Sequence, residues 1–332
     1  MGTPTLAAGS HRVRPLSGTG RYVLRKLTWA AGTVFFVLCF NFALFRLLPG
    51  DPIGLYTRGR NMPAEQIAAM RAKLDQPIGQ QFVDYLANPF SSAVQSVSQN
   101  APVWQVIGER VWPTVLLVGT SILLASVFGI RIGIRAGWQR GSRFDRISTG
   151  STLALYAMPE FWIGMVLMIA LPMFPSAGIN SDGVDPSSPA GWLDTLWHMT
   201  LPVASLTLVY LAEYAAIMRA SLVDELGQDY LTLARATGLR EALVRRKHAV
   251  PNALLPTMTL IFLNFGFVIG GAITVEAVFS WPGLGQLSYD ALRGPDIPLL
   301  QAVFLLFSLS VIVFTLLADL LYVVLDPRVS DA

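Results

Sequence analysis

Few side chains in this sequence could carry chemistry. Four carboxylates, Glu160, Glu213, Glu276 and Asp319, fall inside long apolar runs. An ionised group is expensive in such a setting, so each needs a task or a partner. Glu160 follows Pro159 near the middle of its run, in Met158-Pro159-Glu160-Phe161-Trp162. Two roles fit it. It can bind a proton or a substrate, or it can face a water-filled path or bond backbone groups freed by Pro159. The second role also fits Glu213, Glu276 and Asp319. A proton-driven carrier usually pairs acids with bases, and no Lys or Arg occupies the centre of any run. Glu160, Glu213 and Asn264 are the polar side chains expected along a path through the apolar segments.

Other chemistry is excluded. There is no G-x-x-x-x-G-K-[ST] phosphate loop and no G-x-S-x-G nucleophile elbow, so the chain is not expected to hydrolyse ATP itself. His11, His198 and His248 lie far apart, and the single Cys39 sits in an apolar run. That leaves no intramolecular disulfide and no thiolate metal site. No catalytic residue, metal or resident cofactor is expected.

The elements around these residues define the class. The 332 residues are 53% hydrophobic and 14% charged, against about 25% charged in an ordinary soluble domain. Lipid is the solvent that such a deficit implies. Six runs reach the length of about 20 residues that a helix needs to cross the hydrocarbon core: Leu27–Leu48, Thr114–Ile134, Thr149–Met173, Leu201–Leu222, Leu254–Ala277 and Leu299–Leu325. The first is too long for a signal-peptide core and ends without a small-x-small cleavage site, so it reads as an uncleaved span. The expectation is an all-α, polytopic membrane protein with about six transmembrane helices. Its parts are a tail (1–26), a first span (27–48), an extracytoplasmic segment (49–111), a five-span core (112–325) containing a loop at 224–251, and a tail (326–332).

Basic residues alternate between connections. The N-terminal tail carries Arg12, Arg14, Arg21, Arg25 and Lys26 with no acid, and the connection after the second run carries Arg131, Arg135, Arg140, Arg143 and Arg146. The connection after the fourth carries Arg219, Arg235, Arg240, Arg245, Arg246 and Lys247, whereas 176–199 has no Lys or Arg and three Asp. The positive-inside rule puts both termini in the cytoplasm of a cell whose plasma or inner membrane the chain spans. Basic residues so distributed serve the lipid bilayer, and no nucleic-acid partner is expected.

In the external segment, Pro63–Leu74 reads as a short amphipathic helix and Ser91–Asn100 as a polar loop. The segment can be a cap with its own small core or a docking surface for a partner. Gly129, Gly133 and Gly137 form one series of small residues, and Gly266 with Gly270 another, at the spacing that lets helices approach closely.

The most informative segment joins the fourth and fifth runs. Asp229-Tyr230-Leu231-Thr232-Leu233-Ala234-Arg235-Ala236-Thr237-Gly238-Leu239-Arg240 leads to His248-Ala249-Val250-Pro251-Asn252-Ala253. It reads as two short helices broken at Gly238, a residue that takes positive φ without penalty. Leu231 and Ala234 share one face of the first helix. So short a helix cannot persist alone, and a protein partner is the natural cover for that face.

This segment resembles the cytoplasmic loop of permeases of ABC importers, whose pattern is E-A-A, three residues, G, nine residues, I-x-L-P. Ala234, Gly238 and Val250-Pro251 match. Thr232 replaces the Glu, and His248 the Ile, which is similar to the dipeptide/oligopeptide branch with its D-Y-x-x-x-A-R-A-x-G-L and H-A-x-x-N-A. Pro49-Gly50-Asp51-Pro52, Leu74-Asp75-Gln76-Pro77, Glu276-Ala277-Val278-Phe279 with Pro282-Gly283-Leu284-Gly285, and Leu325-Asp326-Pro327-Arg328 resemble the same branch. Its usual G-D-L-G-x-S after Tyr85-Leu86 is absent. The resemblance implies a transport subunit that is not itself an enzyme. It implies four kinds of partner: a second homologous permease, one or two ABC ATPase subunits that hold the ATP and Mg, an extracytoplasmic solute-binding protein, and lipid. It implies ATPase coupling through Asp229, Tyr230, Ala234, Arg235, Ala236, Gly238 and Leu239, and docking of the binding protein near Pro282, Gly283 and Gly285. An ion-coupled secondary carrier is the alternative; it would show an inverted repeat between halves, which this sequence does not display.

Overall fold

Lipid supplies no hydrogen bonds, so each apolar run must satisfy its own backbone, and the helix is the way to do so. The computed structural model describes residues 17–46, 64–91, 94–268, 270 and 272–325. Among them the only β feature is an isolated bridge between Gln95 and Pro102. In chain order the helices are α1 (Ser17–Arg46), α2 (Ala64–Leu74), α3 (Ile78–Ala87), α4 (Val103–Trp138), α5 (Arg143–Tyr156), α6 (Glu160–Ala170), α7 (Pro189–Glu225), α8 (Asp229–Ala236), α9 (Glu241–Val244), α10 (Val250–Val268), α11 (Ile273–Val278), α12 (Leu284–Arg293) and α13 (Ile297–Leu325). A π-helical turn, Arg245–Ala249, joins α9 to α10. Five of the described helices are long and apolar enough to cross a membrane: α1, α4, α7, the continuous Glu241–Val268, and α13. The bent pair α5–α6 passes the same test of length and composition only when its two helices are counted together. The protein is all-α and polytopic, as its composition requires.

Two expected spans are built differently. Thr149–Met173 is not one helix: α5 and α6 meet at 104°. The cause is Pro159, which has no N–H to donate and whose ring disfavours α geometry at Met158. The new helix starts with Pro159 as its cap and Glu160 in its first turn, where the helix dipole favours negative charge. The fifth span likewise does not run through Ala277. Its helix starts at Glu241 and ends at Val268, and Glu276 belongs to the separate α11.

The centre of the bundle is the α4–α7 contact. A Cβ on Gly133 would stand 2.6 Å from Met218 Cβ and 2.7 Å from the Ala215 carbonyl, and Gly129 and Gly137 are similarly crowded by α7. The small residues of α4 thus bring two backbones together, the packing that membrane helices use in place of a hydrophobic drive. Gly266 does the same against Val311 of α13, whereas the atoms nearest a Cβ on Gly270 belong to Phe267 of its own segment. Leu117, Ile122, Leu201, Leu206, Tyr214, Phe279 and Trp281 fill the core around this axis.

The first and last helices lie together and antiparallel. Lys26 Nζ pairs with Asp319 Oδ2 at 2.8 Å, and Asn41 Nδ2 donates to the Gln301 carbonyl at 3.1 Å. One end of the bundle therefore carries Lys26, Asp319 and the end of α4, which packs at Trp138 beside Leu226 and Leu231. The other end carries α3, the starts of α4 and α13, and α12, joined through Val103, Ile107, Leu284, Leu287, Leu299 and Val303. There the polar 94–102 loop is clamped. The fully buried Asp296 accepts from Ser96 Oγ (2.7 Å), Ser98 N (2.8 Å), Ser98 Oγ (2.7 Å) and Leu299 N (3.2 Å). Pro49-Gly50-Asp51-Pro52, Pro63, Asp326-Pro327-Arg328 and the expected first-span residues Leu47 and Leu48 lie outside the described residues.

Candidate functional site

The 229–251 loop begins three residues beyond the end of α7. α8 has only eight residues, about two turns, and needs packing to persist. Leu231 and Ala234 provide it, but not against another protein. Both are buried against Met218, Leu222, Val244, Ala249 and Ala253 of this same chain. The expectation that a partner covers this face is corrected: α7 and the start of the fifth span cover it. The opposite face carries Thr232, Leu233 and Ala236, and Leu233 is 65% exposed.

The end of α8 is closed by glycine geometry. Gly238 has φ +81°. Its N–H donates to the Arg235 carbonyl at 2.9 Å, and the Leu239 N–H reaches the Ala234 carbonyl at 3.4 Å. This is a Schellman closure with glycine in the left-handed position. Arg235 Nε then pairs with Glu241 Oε1 at 3.0 Å across the break, and Leu239 packs back on the cluster around Leu231. Asp229 lies in the first turn of α8, the end that favours a negative charge.

Tyr230 holds the start of α8. Its hydroxyl donates to Glu225 Oε1, with the His248 carbonyl 3.2 Å away as a second acceptor. It accepts from Asn252 Nδ2 at 2.7 Å, and the same amide reaches Glu225 Oε1 at 3.3 Å. Burial and the adjacent Glu225 carboxylate both push the phenol pKa above its usual value, so it stays a donor at neutral pH. Beside the loop, Arg219 of α7 clamps α5 through a two-pronged contact with Asp145: Nε to Oδ1 at 2.5 Å and Nη2 to Oδ2 at 2.9 Å. Asp145 also accepts from the Gly141 N–H at 2.8 Å.

The polar residues of the spans separate into two places. Asn264 Nδ2 donates to Glu213 Oε2 and to Tyr214 Oη, both at 3.1 Å, which ties α10 to α7. Glu160 stands apart and accepts the Thr274 hydroxyl at 3.1 Å. Tyr210 stacks near Tyr214 with ring centroids 6.3 Å apart.

At the far end, Pro282, Gly283 and Gly285 surround a buried acid rather than forming an open surface. Glu276 is 0% exposed. Its carboxylate accepts the Thr114 hydroxyl at 2.8 Å and the Gln286 N–H at 3.0 Å, while Thr114 Oγ1 accepts the Leu284 N–H at 2.7 Å. Gly283 and Gly285 are themselves buried, and Pro282 is half-buried. Trp281 Nε1 donates to the Pro113 carbonyl at 2.9 Å and pins the loop to α4. Sequence reasoning missed Glu225, Thr114 and Asp296 as anchors. The available signal was their type, an acid or hydroxyl beside an apolar run, but nothing local names their partners, which lie 5 to 200 residues away.

Comparison with known proteins gives this architecture its context. Residues 129–331 match the family described as binding-protein-dependent transport system inner membrane component, and residues 20–118 match the N-terminal part of such membrane components. The dipeptide transport system permease protein DppB of Escherichia coli K12 is 34% identical over 333 residues, covering 93% of this chain and 98% of DppB. The glutathione transport system permease protein GsiC of Pectobacterium atrosepticum is 38% identical over 317 residues, and that of E. coli K12 is 37% identical over 319; each comparison covers 93% of this chain and 98% of the relative. With two family matches in order along the chain, a bundle of five to six candidate membrane-spanning helices and the 229–251 loop, the chain belongs to the binding-protein-dependent transport system inner membrane components, the transmembrane permease subunits of ABC importers.

Proposed function

We propose that this permease forms half of a translocation path for peptides or peptide-like solutes and couples that path to ATP hydrolysis through the 229–251 loop. The relatives are named for dipeptide and glutathione transport, which supports short peptides as the cargo class. A second homologous permease supplies the other half of the path. One or two ATPase subunits, which carry ATP and Mg, engage the loop, and an extracytoplasmic binding protein delivers the solute. Both termini and α8 then face the cytoplasm, in line with the arginines that flank that end. The path takes its polar lining from Glu160, Glu213 and Asn264. Docking of the binding protein falls on the end that carries α3, α12 and the Pro282–Gly285 loop.

The observation that carries this reading is the two-sidedness of α8. One face is fixed to α7 and α10 by Leu231 and Ala234; the other, with Leu233, is uncovered. A helix so held transmits a rigid-body displacement between two packed states. The test is Gly238→Trp in the reconstituted transporter. A side chain in left-handed geometry is strained, so the closure of α8 fails. ATP-driven uptake should be lost while membrane insertion persists. Unchanged uptake overturns the assignment.

A further inference from the structure

We propose that Tyr230 is a positioning residue that ties the coupling helix to both neighbouring membrane helices and does not itself contact the ATPase. This rests on the coupling role proposed above and assigns the mechanical link within it.

The argument starts from how weakly α8 is otherwise attached. Its chain connections are Leu226-Gly227-Gln228 on one side and Thr237-Gly238 on the other. Both contain glycine, and Gly238 adopts positive φ. Such joints pass on little torque. The other attachments are the burial of one leucine and one alanine and, at the far end of α8, the solvent-exposed Arg235–Glu241 pair. Apolar contact has no preferred direction, so it holds the helix down without fixing how it rocks.

The Tyr230 hydroxyl supplies the missing direction. It sits in the first turn of α8 and meets three groups from three other elements. Glu225 is the last residue of α7, Asn252 lies in the first turn of α10, and the His248 carbonyl belongs to the π-turn between α9 and α10. Asn252 also bonds Glu225, so the three side chains form a closed triangle. Its acceptor is a carboxylate, and hydrogen bonds of that kind are about twice as strong as neutral ones. The π-turn adds to the case, because wide turns of this kind concentrate where helices must adjust. A push on α8 therefore reaches the ends of α7 and α10 together, through one oxygen atom. The residue is 37% exposed, but its hydroxyl is already engaged by Glu225, Asn252 and the His248 carbonyl.

The test uses the complete transporter (both permeases, the ATPases and the binding protein) in proteoliposomes, with a dipeptide as cargo. Tyr230→Phe keeps the ring and removes the tie. The ATPases should still co-purify at the wild-type ratio, while cargo moved per ATP hydrolysed falls about tenfold, the order expected for losing one charge-assisted hydrogen bond. Glu225→Gln, which leaves Tyr230 intact, should show the same split in milder form, and the double variant should be no worse than Tyr230→Phe. Spin labels at Leu233 and at exposed Asp224 should report a broadened distance in both single variants. Loss of ATPase co-purification in Tyr230→Phe would make Tyr230 a docking contact and overturn the proposal. Unchanged cargo per ATP would also overturn it, and leaves the coupling role standing if Gly238→Trp still abolishes uptake. If Gly238→Trp transports normally, the coupling role itself falls.

Discussion

Gly283 lies against Glu276 so closely that a methyl group at position 283 would overlap the carboxylate and the Thr114 hydroxyl beside it. The glycine is there to let a buried acid reach backbone N–H groups, and the Pro282–Gly285 loop takes its shape from that acid.

Gly283→Ala should therefore destabilise the end of the bundle that carries α12 by about 1–3 kcal/mol, the usual cost of overpacking. The expected signature is a lowered Tm of the purified protein in detergent. Thr114→Val, which removes both hydroxyl bonds without changing the side-chain size, should lower it as well.

The helix axis gives a matched pair. Gly133 is in contact with Met218 and Ala215, whereas a Cβ at Gly119 of the same helix would meet nothing within 4 Å. Gly133→Ala should lower the Tm, by the same overpacking mechanism. Gly119→Ala should leave it unchanged or raise it, since alanine in a helix is favoured over glycine by about 0.5–1 kcal/mol. Equal effects at the two sites would contradict the packing described.

The Asp145 side chain is 4% exposed and that of Arg219 28%. Arg219→Ala leaves a carboxylate buried with only neutral partners, at a cost of about 3 kcal/mol. Removing both charges in Asp145→Asn with Arg219→Met should recover most of that loss. Thermal unfolding of the two variants and the wild type decides it.

Asp296→Ala should free the 94–102 loop. It removes a helix cap, typically about 1 kcal/mol, and three bonds to Ser96 and Ser98. Hydrogen exchange at residues 94–102 should accelerate at least tenfold, with protection in α8 unchanged.

The sidedness of the bundle has its own check. A cysteine at exposed Thr232 should react with an impermeant maleimide only after the membrane is opened, and one at exposed Ser187 should react in intact cells. The reverse pattern would invert the proposed orientation.

Length and hydropathy made the crossings legible, because a lipid span is a property of composition. They did not show the elbow in the third crossing, because apolar count is blind to direction. Pro159 carried that signal. The αL turn at Gly238 was readable from residue type, since few residues tolerate it. The role of Leu231 and Ala234 was not: periodicity says that a face needs cover, but an apolar face accepts a partner protein and a neighbouring helix equally well. Glu213 and Asn264 could be suspected singly as polar groups in apolar runs, but their pairing rests on how α7 and α10 cross, which no local pattern encodes. The Pro282–Gly285 motif was recognisable, yet its glycines serve an interior acid, and only the folded chain brings Glu276 beneath them.

The pairing of Lys26 with Asp319 also bears on how the protein is made. The two ends of that ion pair are separated by nearly the whole length of the chain, and α1 keeps Leu24, Trp29, Phe35, Phe36 and Phe40 exposed to its surroundings. At a ribosomal pace of about 5–20 residues per second, the first helix waits tens of seconds for the last. Its exposed apolar side chains suit it to lipid for that interval. Asp319 is made long after Lys26, so this ion pair closes only once α13 has followed the rest of the bundle.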